Sequence, residues 1–255
     1  KMGERAETVA NFFSQFNDIM MEMTMMIMSL APIGVFCLIS RTFATIGFSA
    51  FVPLAKYMIA VLLALAIQCL GVYQILLKIF TGLNPIRFIK KFFPVMAFAF
   101  STATSNATIP LSIETLSKKV GVSKKISSFT IPLGATINMD GTALMQVVAT
   151  IFIAGVAGYT VHLPQLILIG LLAVIASVGT PAAPGAGAII LFTILSGVGF
   201  TNPIALSVYA LILAINRPIE MLVTALNVTG DTACAMVVCK SENSLNEEVF
   251  NTVSK

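Results

Sequence analysis

Two apolar stretches of this chain are broken at their middle by small polar residues and proline: Ser101-Thr-Ala-Thr-Ser-Asn-Ala-Thr-Ile-Pro110 and Ser177-Val-Gly-Thr-Pro-Ala-Ala-Pro-Gly-Ala-Gly187. This interruption restricts the fold more than any other feature. Each flanking piece is too short to cross a bilayer, which takes about 20 apolar residues in a helix. Yet the surroundings call for a bilayer. The 255 residues are 57% hydrophobic and only 10% charged, against about 25% charged in a soluble domain, and the mean hydropathy is +0.96. The apolar runs are long and do not alternate, so the spanning elements are helices. Irregular backbone at membrane depth is tolerated only inside protein or along a cavity. The two broken stretches therefore read as re-entrant helical hairpins in an all-α integral membrane protein, multi-pass and surrounded by lipid.

Charge sets the orientation. Arg87, Lys90 and Lys91 precede the first hairpin, and Lys118, Lys119, Lys124 and Lys125 follow it. The flanks of the second hairpin carry no basic residue. By the positive-inside rule the first hairpin enters from the cytoplasm and the second from outside. The expected order is transmembrane helices in 1–81, with spans at about 19–47 and 52–80; hairpin 1 in 82–126; a broken transmembrane helix in 127–158; hairpin 2 in 159–202; a last transmembrane helix in 203–240; and a polar cytoplasmic tail in 241–255. Twelve of the fifteen Lys and Arg residues then fall on the cytoplasmic side, Arg41, Lys56 and Arg217 being the exceptions. The +4 net charge thus belongs to membrane topology and not to nucleic acid. Cys37, Cys69, Cys234 and Cys239 lie in apolar runs without metal-ligand spacing and read as small hydrophobes.

The last apolar run carries Glu220, Thr224, Asn227 and Asp231, at offsets that place all four on one helical face, and Asn216 extends the stripe. Acids inside a membrane are costly and mark a substrate or ion pathway. A polar seam that merely joins helices needs no pair of acids. The pattern also repeats. Each hairpin precedes a span holding an Asn and an Asp, first Asn138 and Asp140, then Asn227 and Asp231, with the two hairpins entering from opposite faces. That is the layout of inverted-repeat transporters. Helix N-termini at the tips offer N–H groups to an anion, while Asp140 and Asp231 offer hard oxygen ligands to an alkali cation. An intramembrane enzyme is disfavoured, because neither tip supplies an arranged nucleophile and base. A ligand-gated or anion channel built from the same polar core is the non-transporter alternative.

Gly134-Ala-Thr-Ile-Asn-Met-Asp-Gly-Thr-Ala143, Pro184-Gly185-Ala-Gly187 and Asn227-Val-Thr-Gly-Asp231 resemble the glutamate transporter family, the sodium- or proton-coupled dicarboxylate/amino acid symporters, over about residues 10–240. The resemblance implies an inverted-repeat core and a role for each matching residue. Ser105 and Asn227 would receive the substrate's α-carboxylate. Glu220 stands where the family has an aspartate for the α-amino group. Thr142, Val223 and Thr224 complete the substrate site. Asp231, Asn138, Asn227 and the Gly134 carbonyl match one sodium site, and Asp140 with Asn138 a deeper one. Backbone around Ser177, Val178 and Thr180, with Thr136 and Met139, matches a third site under hairpin 2, which resembles the external gate. Sodium, or protons instead, would drive import across the inner (plasma) membrane by alternating access.

The departures from the family pattern bear on substrate. Acidic-substrate members have an arginine where Val223 stands, or alternatively one where Ala103 stands; this chain has neither. It keeps an acid at 220, which carriers of C4-dicarboxylates tend to lose. Both facts imply a small neutral amino acid. Asn216 replaces a usual aspartate, and Arg217 is unusual. A pairing of Arg217 with Glu220, three residues apart, would keep an acidic amino acid or C4-dicarboxylate as the alternative substrate. The family's earlier helices, which form most of its trimer scaffold, precede the stretch matched, so the chain is expected to be part of a longer homotrimeric protein.

Overall fold

In a computed structural model the described residues are 7–30, 33, 34, 36, 37, 40, 44 and 51–252, and among them every regular element is helical. Helix α1 (Glu7–Ser29) starts before the expected first span. Most of that span beyond residue 30, including Arg41, lies outside the described residues. The second span is one continuous rod made of α2 (Phe51–Ala66), a π-helical turn (Ile67–Val72) and α3 (Tyr73–Thr81), ended by Gly82 in the left-handed conformation.

Hairpin 1 comprises α4 (Pro85–Thr102) and α5 (Ser105–Thr115), the latter continued by a second π turn, Leu116–Val120. The Asn84 side chain caps α4 by accepting from the Ile86 and Arg87 N–H groups, and Pro85 occupies the first turn, where its missing N–H costs nothing. The chain reverses through Ala103, at φ 51°, and Thr104. The expected broken span is α6 (Lys124–Ile137) and α7 (Asp140–Val156), interrupted at Asn138 and Met139. Hairpin 2 comprises α8 (Leu163–Val178) and α9 (Ala186–Gly197) around an irregular tip at 179–185.

The expected single helix over 203–240 is two helices, α10 (Pro203–Ile215) and α11 (Arg217–Ser241), meeting at Asn216. Pro218 explains the break: it has no N–H to offer the Ala214 carbonyl, and its ring crowds that oxygen. The expected polar tail also carries structure, a short helix α12 (Glu247–Asn251) capped by Asn246. Helix α11 is the axle. It packs against α3, α4, α6 and α7, and it is buried far more deeply than Val52–Thr81. One apolar core gathers around α7 (Met145, Ile153, Ile169, Leu191) and another around the C-terminal half of α11 (Phe88, Phe92, Leu116, Met236, Phe250). Three described helical segments are long and apolar enough to cross a membrane: Val52–Thr81, Lys124–Val156 and Arg217–Ser241. Ile59, Leu63, Ile67, Leu70 and Ile75 cover the outer side of the first with an exposed apolar surface suited to lipid.

Candidate functional site

The two hairpin tips meet. The Thr104 hydroxyl donates to the Ala182 carbonyl at 2.7 Å, joining tip 1 to tip 2. Between the tips, the α6–α7 break and α11 lies a cleft. Ser105, Thr142, Glu220, Val223, Thr224 and Asn227, the six residues expected to bind substrate, all line it. No Lys, Arg or His is among its lining residues, and Glu220 is the one charged group.

Local backbone explains each position. Ser105 is the first residue of α5 and is buried, so it sits where the helix leaves its first N–H groups free. Glu220 is 8% exposed, and its Oε1 accepts the Ala188 N–H at 3.2 Å, in the first turn of α9. A carboxylate supplied by one helix thus caps another. Gln146, fully buried on α7, donates to the Gly187 carbonyl at 3.0 Å in the same turn. The Asn227 amide bridges the break: its Oδ1 accepts the Gly141 N–H at 2.8 Å, and its Nδ2 faces Thr142 Oγ1 at 3.3 Å and Met139 Sδ at 3.4 Å. A Cβ on Gly141 would lie 2.8 Å from Leu226 Cδ2 and 2.9 Å from Asn227 Oδ1, so these side chains would have to shift to admit one.

Beneath the cleft the expected cation residues form two linked groups. In the first, Asn138 Nδ2 donates to Asp231 Oδ1 at 2.8 Å and to the Asn227 carbonyl at 3.3 Å, and the Gly134 carbonyl accepts the Asn138 N–H at 2.8 Å. Asp231 is only 3% exposed. A Cβ on Gly134 would overlap its carboxylate. In the second group Asp140 Oδ2 accepts Gln68 Nε2 at 3.0 Å and the Tyr73 hydroxyl, and Oδ1 accepts the Gly141 N–H at 3.1 Å. The third expected set is less gathered. Ser177 and Thr180 are buried with hydroxyls bonded to Val174 and Ala176 carbonyls, Val178 is 48% exposed, and exposed Thr136 donates back to Leu133. Met139 is buried and faces the Asn227 amide instead.

The sodium:dicarboxylate symporter family model matches residues 1–241. The chain belongs to the sodium:dicarboxylate symporter family. Among curated relatives it is 34% identical over 240 residues to an excitatory amino acid transporter of Caenorhabditis elegans, covering 93% of this chain and 47% of that protein. It is 35% identical to human excitatory amino acid transporter 2 (93% and 41%) and 37% identical to mouse neutral amino acid transporter B(0) (91% and 41%). The chain thus spans less than half the length of these relatives.

Two features of this family member differ from the reading of its sequence. Arg217 is exposed and makes no ion pair with Glu220; the ion pairs among described residues are Lys118–Glu114 and Lys240–Glu247. Both residues lie in the first turn of α11, Arg217 on its exposed side and Glu220 on its buried side. Asn216 in turn is buried at the α10–α11 junction: its Oδ1 accepts the Tyr57 hydroxyl at 2.8 Å and its Nδ2 faces Met145 Sδ at 3.0 Å. Sequence reasoning missed Gln68, Tyr73, Gln146 and the Thr104–Ala182 link. The first three are polar residues inside apolar spans, and that cost of burial was the available signal.

Proposed function

We propose that this chain is the substrate- and cation-binding core of a sodium-coupled symporter that imports a small neutral amino acid by alternating access. The observation that carries this reading is the lining of the cleft: one acid, several hydroxyl groups, one amide, helix N-termini, and no basic side chain. A zwitterion matches that set. Glu220 receives the ammonium group. Ser105, Asn227 and the free N–H groups of α5 receive the α-carboxylate. Thr142 and Thr224 border the side chain, and buried Val223 presents an apolar wall, against which a second carboxylate would be desolvated without a partner. Excitatory as well as neutral amino acid transporters are among the relatives, so an acidic amino acid is the second reading.

Sodium is held by Asp231, the Gly134 and Asn227 carbonyls and Asn138, and more deeply by Asp140; the remaining set, Thr136, Met139, Ser177, Val178 and Thr180, forms only as hairpin 2 closes. The donor set is one of hard oxygens, as an alkali cation requires. Asn227 belongs to both the cleft and the cation group, so filling one orders the other, and each ligand raises the other's affinity. The hairpins dip into the membrane from opposite sides, hairpin 2 is the gate, and the complete protein is a homotrimer in the plasma membrane.

The test is counterflow uptake by the complete natural protein in liposomes, with serine, alanine, threonine, aspartate and succinate, with and without sodium. Sodium-dependent exchange of the neutral amino acids is expected. Saturable aspartate uptake unaffected by neutral amino acids would overturn the substrate class, and uptake driven equally by a proton gradient without sodium would overturn the ion.

A further inference from the structure

We infer that Gln68 and Tyr73, presented together by the π-helical turn between α2 and α3, are positioning residues that aim Asp140 at its cation. The inference rests on the reading of Asp140 as a cation ligand. In an α-helix two residues five apart point about 140° away from each other, at 100° per residue, so Gln68 and Tyr73 could not serve one acceptor. Here the Tyr73 backbone N–H donates to the Gln68 carbonyl. That five-residue link sets one residue above the other. Both side chains then reach the same atom, Asp140 Oδ2. π turns are rare and recur at functional sites, and the residues joined across this one, Gln68 and Tyr73, reach the α6–α7 break at Asp140.

Hydrogen-bond capacity gives the pair its purpose. An ionised carboxylate offers about four acceptor positions, two on each oxygen. Gln68 and Tyr73 fill both on Oδ2, and the Gly141 N–H takes one on Oδ1. Among the described residues the remaining position is on Oδ1. A cation approaching Asp140 therefore finds a carboxylate that cannot rotate and has one open lone pair. Gly230 protects the arrangement on α11, since a Cβ there would lie 2.5 Å from the Tyr73 hydroxyl and 2.7 Å from Asn138 Nδ2. The Tyr73 hydroxyl and Asn138 Nδ2, which holds Asp231, thus both face Gly230.

The experiment compares Tyr73→Phe, Gln68→Leu and Asp140→Asn in the complete natural protein. Sodium dependence of uptake is read in liposomes, and sodium-induced thermal stabilisation of the purified protein is read without transport. Tyr73→Phe and Gln68→Leu are each expected to raise the half-saturating sodium concentration on the order of 10-fold, with the substrate KM at saturating sodium unchanged, and to shift the sodium dependence of stabilisation equally. A purely structural role would lower the unfolding temperature without moving that dependence. If Asp140→Asn shifts the sodium dependence and both other variants leave it unchanged or lower the requirement, the inference is overturned and the ion assignment stands. An Asp140→Asn protein with unaltered sodium dependence overturns both.

Discussion

Glu220 Oε1 accepts the Ala188 N–H at 3.2 Å, so the one acid in the cleft also holds the first turn of the hairpin 2 helix α9. The two roles separate by chemistry. A backbone N–H needs only an acceptor, whereas an ammonium group inside a membrane protein needs a charge.

Glu220→Gln makes that separation. The amide keeps an oxygen for Ala188 and removes the charge. The variant is expected to fold, with an unfolding temperature near the parent's, and to lose amino acid exchange. Retention of uptake at the parental rate would show that Glu220 does not receive the amine.

The proposed preference for a neutral substrate turns on Val223. It is 4% exposed and lines the cleft one turn before Asn227. Val223→Arg places a guanidinium where a side-chain carboxylate would lie, and a close buried pair of this kind is worth several kcal/mol once both partners are present. The variant is expected to gain saturable aspartate uptake and to lose serine uptake by at least about 10-fold, since the unpaired arginine carries its own desolvation cost. Competition between labelled serine and unlabelled aspartate checks both changes.

What could be read in advance follows from which residues announce themselves. Asp140 beside Gly141 in an apolar run advertised a break, because a buried acid and a glycine together cost a helix too much to be incidental. The stripe from Glu220 to Asp231 was legible because polar residues at helical spacing stand out against apolar neighbours. The break at Asn216 went unread although Pro218 signalled it, because the apolar run continues on both sides. The π turn at Ile67–Val72 left no trace, since a five-residue hydrogen bond demands no particular side chain. Gln68 and Tyr73 were legible only as isolated polar residues until the fold set them against Asp140. The Arg217–Glu220 pairing failed because a three-residue spacing in one helix does not say which of the two side chains the fold buries: Arg217 is exposed and Glu220 is buried.

Gly134 tests the cation group by steric means alone. It lies in α6 with its carbonyl on the Asn138 N–H, and a Cβ there would overlap the Asp231 carboxylate. Alanine favours a helix over glycine by about 1 kcal/mol, so any loss in Gly134→Ala comes from displacing Asp231. The variant is expected to require on the order of 10-fold more sodium, as displaced ligands typically do. Asp231→Asn is expected to weaken sodium dependence more than any other single change, and a sodium titration of uptake compares the two.

The C-terminal segment makes a prediction about stability that leaves transport alone. Phe250 is fully buried in the core around α4 and α11. Lys91 Nζ, beside its ring, donates to the Lys119 carbonyl at 2.7 Å and the Val249 carbonyl at 2.9 Å. The Asn246 N–H donates to the Gly121 carbonyl at 2.8 Å, where a Cβ on Gly121 would collide with the Asn246 carbonyl. Helix α12 is therefore strapped across the base of hairpin 1, whereas no comparable segment among the described residues ties hairpin 2. Phe250→Ala leaves a cavity and should cost about 3–5 kcal/mol. Lys91→Met orphans two carbonyls and should cost about 1–3 kcal/mol. Because both act on one strap, the double variant should cost less than the sum. None of these residues lines the cleft, so thermal unfolding in detergent should shift downwards while the half-saturating sodium concentration of the surviving folded protein stays at the parental value.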